Sequence, residues 1–215
     1  MTEAKLSGRK AQAARNDDAI LAAARAVFLA DPGAPIAAVA ERAGVGISAL
    51  YRRYPSKEEL LRKLCSDGLA AYTAAVQAAL DDMKGGGDAW DAFATFMRRV
   101  VDAGSTSLTV ALAGTFTPSE QLFRDAQRAD ELNQELVKRV RKAKALRPDV
   151  EVADIGLVLE QIAAVRLGDE RRTGQLRHRY LTLVLDALSQ PGTELPGPPP
   201  MPGELAARWR PGTDR

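Results

Sequence analysis

Six side chains between positions 47 and 57 have the types and spacing to do chemistry: Ile47, Ser48, Tyr51, Arg52, Arg53 and Lys57. A hydroxyl, a phenol, two guanidiniums and an ammonium are all donors, the kind of set that meets a polyanion. At helical spacing Ile47, Ser48, Tyr51 and Arg52 share one side of about two turns, while Leu50 and Tyr54 share the other. Lys57 stands at the start of a further helix, where backbone N–H groups and the positive dipole end also favour phosphate. No competing chemistry stands out: there is no nucleophile–base pair and no phosphate-binding loop. One cysteine, Cys65, excludes an internal disulfide and a cysteine-based zinc site, and one histidine, His178, excludes a multi-histidine metal site. No catalytic residue, metal or cofactor is therefore expected.

The elements around these residues are legible in the stretch from Ala40 to Leu61. Ile36, Val39, Ala40 and Ala43 recur at helical spacing, and Pro35 suits a first helical position. Gly44 supplies a left-handed stop, and Val45 can plug the corner that follows. Residues 47–53 make the next helix. Ser56 then caps another, with Glu59 at its third position as a capping box. Short helix, glycine turn, short helix, capped long helix is the pattern of a helix-turn-helix, which implies double-stranded DNA as the partner.

This pattern resembles the DNA-binding domain of the TetR (tetracycline-repressor) family. The matching residues are Ile20, Leu21, Ala23, Ala24 and Phe28, then Val39, Ala40, Ala43, Gly44 and Val45. The last block is Leu50, Tyr51, Tyr54, Ser56, Lys57, Glu58 and Leu60. The resemblance implies that Ile47, Ser48 and Tyr51 touch bases in the major groove, and that Arg52, Arg53 and Lys57 face phosphates. Tyr51 has packing inside the head as its alternative role. Three departures remove hydroxyls or a capping acceptor: Pro35, Gly46 and Ala49. Direct readout is therefore expected to be sparse.

The remaining chain reads as all-α: a helix-turn-helix domain followed by a helical ligand-binding and dimerisation domain. The expected division is a basic arm and reading head over 1–56, a helical domain over 57–190 and a proline-rich flexible tail over 191–215. Helix one is expected from about Asn16 to Ala30, with Lys5, Arg9 and Lys10 in a loose arm before it. Further helices carry Trp90 to Val101, Leu108 to Leu112 and Glu120 to about Ala145, with two last ones over 152–167 and 171–189. The tail holds seven of the twelve prolines, with Trp209 as its one bulky anchor. The resemblance implies a small-molecule pocket between the middle helices. Its candidate wall is Tyr72, Trp90, Phe93, Met97, Phe116, Phe123 and Leu136, with ordinary core as the alternative. So few charges fall there that an apolar or aromatic effector is expected. Two apolar stripes, Ile155, Val158, Leu159 and Ile162 with Leu181, Val184, Leu185 and Leu188, line the last two helices; the resemblance implies that they form a homodimer bundle, with burial within one subunit as the alternative.

Charge agrees with this division. The net charge is +4 through Lys63 against +2 for the whole chain, so the basic end coincides with the reading head. Apolar content of 46% argues against disorder, and no apolar run approaches a membrane span. With no apolar leader at the N-terminus, a cytoplasmic protein is expected. Cys65 reads as buried filler rather than a redox sensor, and His178 as a surface or interface residue. The functional expectation is a transcriptional regulator, most simply a repressor released from a palindromic operator by its effector. An architectural DNA binder with little base readout is the alternative.

Overall fold

The computed structural model describes residues 2–189, 192–201 and 204. Among them every regular element is helical. In chain order these are α1 (Thr2–Ala30), α2 (Ile36–Ala43), α3 (Ile47–Arg53), α4 (Lys57–Lys84), α5 (Ala89–Ala103), α6 (Ser105–Leu112), α7 (Glu120–Lys142), α8 (Val152–Ala164) and α9 (Glu170–Ser189). Side-chain caps punctuate them where the sequence offers acceptors. Ser56 Oγ accepts from Glu59 N at 3.1 Å, Asp88 from Trp90 N at 2.9 Å and Ser119 from Leu122 N at 3.2 Å. The box at Ser56 closes on one side only, because the Glu59 carboxylate turns to Arg62 at 2.6 Å.

Two apolar cores result. The first joins Ile20, Ala24 and Phe28 of α1, Val39 of α2, Leu50 of α3 and Leu60, Leu61 and Leu64 of α4. Leu108 and Leu112 of α6, with Phe116 just beyond it, belong to the same core. The second joins Val76 and Leu80 of α4, Phe93, Phe96 and Met97 of α5, Leu136 and Val140 of α7, Ile155 and Leu159 of α8 and Leu181 and Leu185 of α9. Tyr72 stands edge-on to Phe96, with ring centroids 5.5 Å apart. The helix α4 therefore runs through both cores. Its first turn is also tied to the α6–α7 loop, where Glu58 accepts from Thr117 N and Arg62 donates to Thr117 O.

Some boundaries differ from expectation. The first helix reaches back to Thr2 rather than Asn16, so Lys5, Arg9 and Lys10 sit on helical backbone and not in a loose arm. Residues 2–15 contain no proline and are dominated by alanine, lysine and arginine, which propagate a helix well. The side chains of those three residues lie outside the described ones. Pro35 is the cap of α2 rather than its first residue, with φ −70° and ψ 152°. The helix α8 stops at Ala164, where Val165 turns extended and Arg177 of α9 donates to the Ala163 and Val165 carbonyls.

The tail is expected to be a flexible or partly extended appendage. Its described part, 192–201, is held against the body. Arg147 donates to Thr193 O at 2.8 Å, and Leu195 N donates to Asp149 Oδ2 at 3.2 Å. Arg147 and Asp149 are themselves paired at 2.6 Å, so one ion pair anchors two points of the tail. Trp209 lies outside the described residues.

Leu112 belongs to α6 yet is fully buried in the core of α1–α4. Leu112→Ala is expected to cost about 2–5 kcal/mol in urea unfolding. A loss below about 1 kcal/mol would mean that α6 does not hold the head.

Candidate nucleic-acid interface

The corner before the reading helix is built by backbone chemistry. Gly44 takes φ +66°, a conformation that an L side chain resists. Its N–H reaches Glu41 O at 3.1 Å while Val45 N–H reaches Ala40 O at 3.0 Å, the two bonds of a Schellman stop. Val45 is half-buried and packs on the head core. Gly46 then caps α3 without any side-chain acceptor.

The helix α3 is anchored from below and open above. Leu50 is fully buried and Tyr54 nearly so. On the opposite face Ile47 is 41% exposed and Tyr51 45%, with Ser48 and Arg52 exposed beside them. The structure thus brings these four side chains together on one solvent-facing surface, with Tyr51 outside the core. Arg52 has no ion-pair partner among the described residues.

Arg53 and Lys57 stand differently from their expected roles, because both are engaged within the protein. Arg53 forks onto Asp17 of α1, Nε to Oδ1 at 2.8 Å and Nη2 to Oδ2 at 2.7 Å. The Tyr54 hydroxyl donates to the same carboxylate at 2.7 Å. Hydrogen bonding from Arg53 is the main reason that Asp17 is held at about 2, below its ordinary 3.8, with Tyr54 helping against the cost of burial. Burial first, and then the Asp17 carboxylate, push the Tyr54 hydroxyl upward. Lys57 Nζ donates to Pro32 O at 3.0 Å and Ala34 O at 2.8 Å and sits 5.0 Å from the centre of the Phe28 ring. Two of its three donors are therefore spent on the α1–α2 loop. Sequence reasoning missed Asp17. The pair spans 36 positions, so no local spacing announces it.

The expected effector wall does not enclose one space. Tyr72, Trp90, Phe93, Met97 and Leu136 belong to the second core, where Phe93, Met97 and Leu136 are fully buried. Phe116 is packed in the first core, and Phe123 is 62% exposed on the first turn of α7. The amphipathic face of α7 places Phe123 outward, so it lines no interior.

The expected dimer stripes are also interior. Ile155, Leu159, Ile162, Leu181, Leu185 and Leu188 are buried within the subunit, and Val158 and Val184 are half-buried against its core. The periodicity marked the faces that close the body. The apolar residues left outside on α9 are Tyr180, at 44% exposure, and Leu183, at 58%.

Cys65 is buried in the head core, and burial pushes its thiol up to about 12. Such a thiol is not a reactive one. His178 Nε2 meets Asp102 Oδ1 at 2.6 Å, joining α9 to α5 at the surface. Among the described residues no group of His, Cys, Asp or Glu could hold a metal ion, and no helix is long and apolar enough to cross a membrane.

Comparison with known proteins bears on both parts of the chain. Residues 20–64 match the profile of bacterial regulatory proteins of the tetR family. Residues 88–190 match the C-terminal domain of SbtR-like transcriptional regulators. None of the curated proteins matches the chain significantly. Among solved structures, the TetR-like transcriptional regulator LfrR from Mycobacterium smegmatis, in complex with proflavine, superposes with a TM-score of 0.61 at 23% identity. That match covers 85% of this chain and 99% of the other, and at this identity it speaks for the fold. A TetR transcriptional regulator from Streptomyces coelicolor gives 0.54 at 26% identity, covering 81% and 99%. One from Mycobacterium vanbaalenii gives 0.50 at 27% identity, covering 84% and 99%.

The Asp17–Arg53 pair sets an acid limb. A carboxylate depressed from 3.8 to about 2 contributes stability that is full above pH 3.8 and lost as pH falls toward 2. Asp17→Asn should flatten that limb in unfolding measured against pH. It should also free Arg53 for phosphate, steepening the slope of log affinity for duplex against log salt by roughly 1. An unchanged slope would show that Arg53 does not reach the backbone even when released.

Proposed function

The chain belongs to the TetR family of bacterial regulatory proteins and is a DNA-binding transcriptional regulator; from that premise we propose that it is a homodimeric, sequence-specific repressor of a palindromic operator, released by a small-molecule effector. The observation that carries this reading is the outer face of α3, where Ile47, Ser48, Tyr51 and Arg52 are exposed together above a buried Leu50. In the major groove Ile47 meets a thymine methyl, Ser48 and Tyr51 hydrogen-bond base edges, and Arg52 reaches phosphate. Arg53 and Lys57 act first as supports, fixing α3 against α1 and α4 against the α1–α2 loop. Lys57 keeps one donor for a phosphate.

Two reading helices must sit about one helical turn of DNA apart, roughly 34 Å, and a two-fold dimer provides this. We assign the pairing to the outer face of α8 and α9 with Tyr180 and Leu183 at its centre, a surface continuous with the buried stripes behind it. The working division is a reading head over 1–56, a regulatory body over 57–190 and the tail beyond. The effector is apolar or aromatic, in keeping with the rings of Tyr72, Trp90 and Phe93. The proflavine held by LfrR supports the same class. Entry must part a packed core, and α6 carries that displacement to the head, since it packs on α8 at one side and on α1 and α4 at the other. The architectural alternative, binding backbone with little base readout, has less to stand on. It needs freely available cations, and Arg53 and Lys57 are occupied.

Selection of random duplexes by the purified protein at physiological salt tests this reading. A two-fold-symmetric site should be enriched, and Leu183→Asp should reduce the preference to a single half-site by splitting the dimer. Strong, salt-sensitive retention with no enriched sequence would establish the architectural alternative instead.

A further inference from the structure

The described chain ends at a cleft in its own surface. An opening of about 820 Å³ between α7 and α8 is lined by Val137 of α7, by Val152, Ala153 and Gly156 of α8, and by Pro200 and Met201 of the tail. Two anchors lead the tail there. Arg147 holds Thr193 O and Asp149 holds Leu195 N, close to the α7–α8 loop, where Arg141 and Glu151 pair at 2.6 Å. Further on the tail turns: Glu204 N–H donates to Met201 O at 3.1 Å, and the Glu204 carboxylate accepts from Met201 N. Residues 205–215 lie outside the described ones, so the chain continues from the lip of this cleft. Trp209 is five positions beyond Glu204. It therefore stays within about 18 Å of that turn on an extended backbone, and within about 8 Å on a helical one.

The sequence that follows matches what the cleft presents. Residues 204–210 read Glu-Leu-Ala-Ala-Arg-Trp-Arg, mostly good helix formers, between the Pro-Gly pairs at 202–203 and 211–212. Leu205 and Trp209 are four positions apart, the spacing that puts two side chains on one helix face. A tryptophan ring carries roughly 150–250 Å² of surface to bury, more than any other side chain of the tail. Arg208 and Arg210 flank it. The carboxylates of the cleft stand where these cations would meet them. Asp130 of α7 lies at the end away from the Arg141–Glu151 pair, and Glu160 is one turn past Gly156 on α8, while Lys138 and Arg141 lie toward the loop. We propose that the α7–α8 cleft is the docking site of the chain's own C-terminal segment, with Leu205 and Trp209 laid against Val137, Val152 and Ala153, and Arg208 and Arg210 beside Asp130 and Glu160. A modest apolar contact suffices, because a tether this short raises the local concentration of the segment to about the millimolar range. The cleft is then filled by the chain itself and is not left open to a small molecule or to another protein. This docking is read on the body alone, so its failure would leave the DNA-binding reading untouched.

The chain has two tryptophans, Trp90 and Trp209, so the full-length protein carrying 5-fluorotryptophan shows two fluorine resonances, and Trp209→Phe tells them apart. A dissolved gadolinium chelate broadens the resonance of any ring that solvent reaches. Trp209 is expected to broaden about tenfold less in the native protein than in urea, the ratio for a segment docked roughly nine-tenths of the time. Leu205→Ser, confined to the tail, and Ala153→Arg, which fills the floor of the cleft, should each return Trp209 to its value in urea and leave the Trp90 resonance in place. Should Ala153→Arg displace Trp90, Leu205→Ser alone decides. A Trp209 as accessible in the native protein as in urea would overturn the proposal. So would protection that survives Leu205→Ser, which would put the ring on another surface. Protection lost on about tenfold dilution would also overturn it, by assigning the segment to the cleft of a second copy.

Discussion

The continuity of α4 is the constraint on which the rest depends. This helix of 28 residues, about 42 Å long, gives its first half to the core of the reading head and its second half to the core of the body. It is fixed at its start by the Ser56 cap and by the Lys57 clamp on Pro32 and Ala34. With Leu60, Leu61 and Leu64 under the head, α3 has a floor to stand on, and with Val76 and Leu80 in the body, α5 and α7 have theirs. The head is therefore not a bead on a flexible string. A change in how α4 leans must move the reading face, and α6, wedged among α1, α4 and α8, is the neighbour placed to make it lean.

Electrostatics at the reading face follow the same economy. A basic end brings the chain to DNA, but the cations nearest α3 are not all free. Arg53 is forked by Asp17 and Lys57 is turned inward to carbonyls, leaving Arg52 exposed on the outer face. Holding two of three charges internally limits backbone attraction, which carries no sequence information; in the proposed reading, discrimination then rests on Ile47, Ser48 and Tyr51. Two hydrogen bonds from Arg53 and one from the Tyr54 hydroxyl meet on the Asp17 carboxylate.

What was legible in the sequence was what depends on local spacing. The Gly44 corner, the burial of Leu50 opposite Tyr51 and the cap at Ser56 all follow from residues within a turn or two of one another. Most helical boundaries did so too, but propensity carried α1 back to Thr2, and α8 stops at Ala164, short of the expected 167. What was not legible depends on residues far apart in sequence. Periodicity showed that Ile155, Leu159, Leu181 and Leu185 form apolar stripes, but a stripe does not say whether its partner is the same subunit or another. The aromatic wall failed for the same reason: Phe93 and Phe116 both read as apolar but fall in different cores, and Phe123 faces solvent. Asp17 and the anchored tail were invisible because each acts across dozens of residues.

Amide hydrogen exchange of the full chain, with and without the duplex it selects, tests the central claim most directly: that the outer face of α3, held up by α4, is where DNA lies. The account predicts new protection over residues 47–53 and at the first turn of α4, with residues 192–201 unchanged. Protection confined to the body, with residues 47–53 exchanging as freely as before, would contradict it.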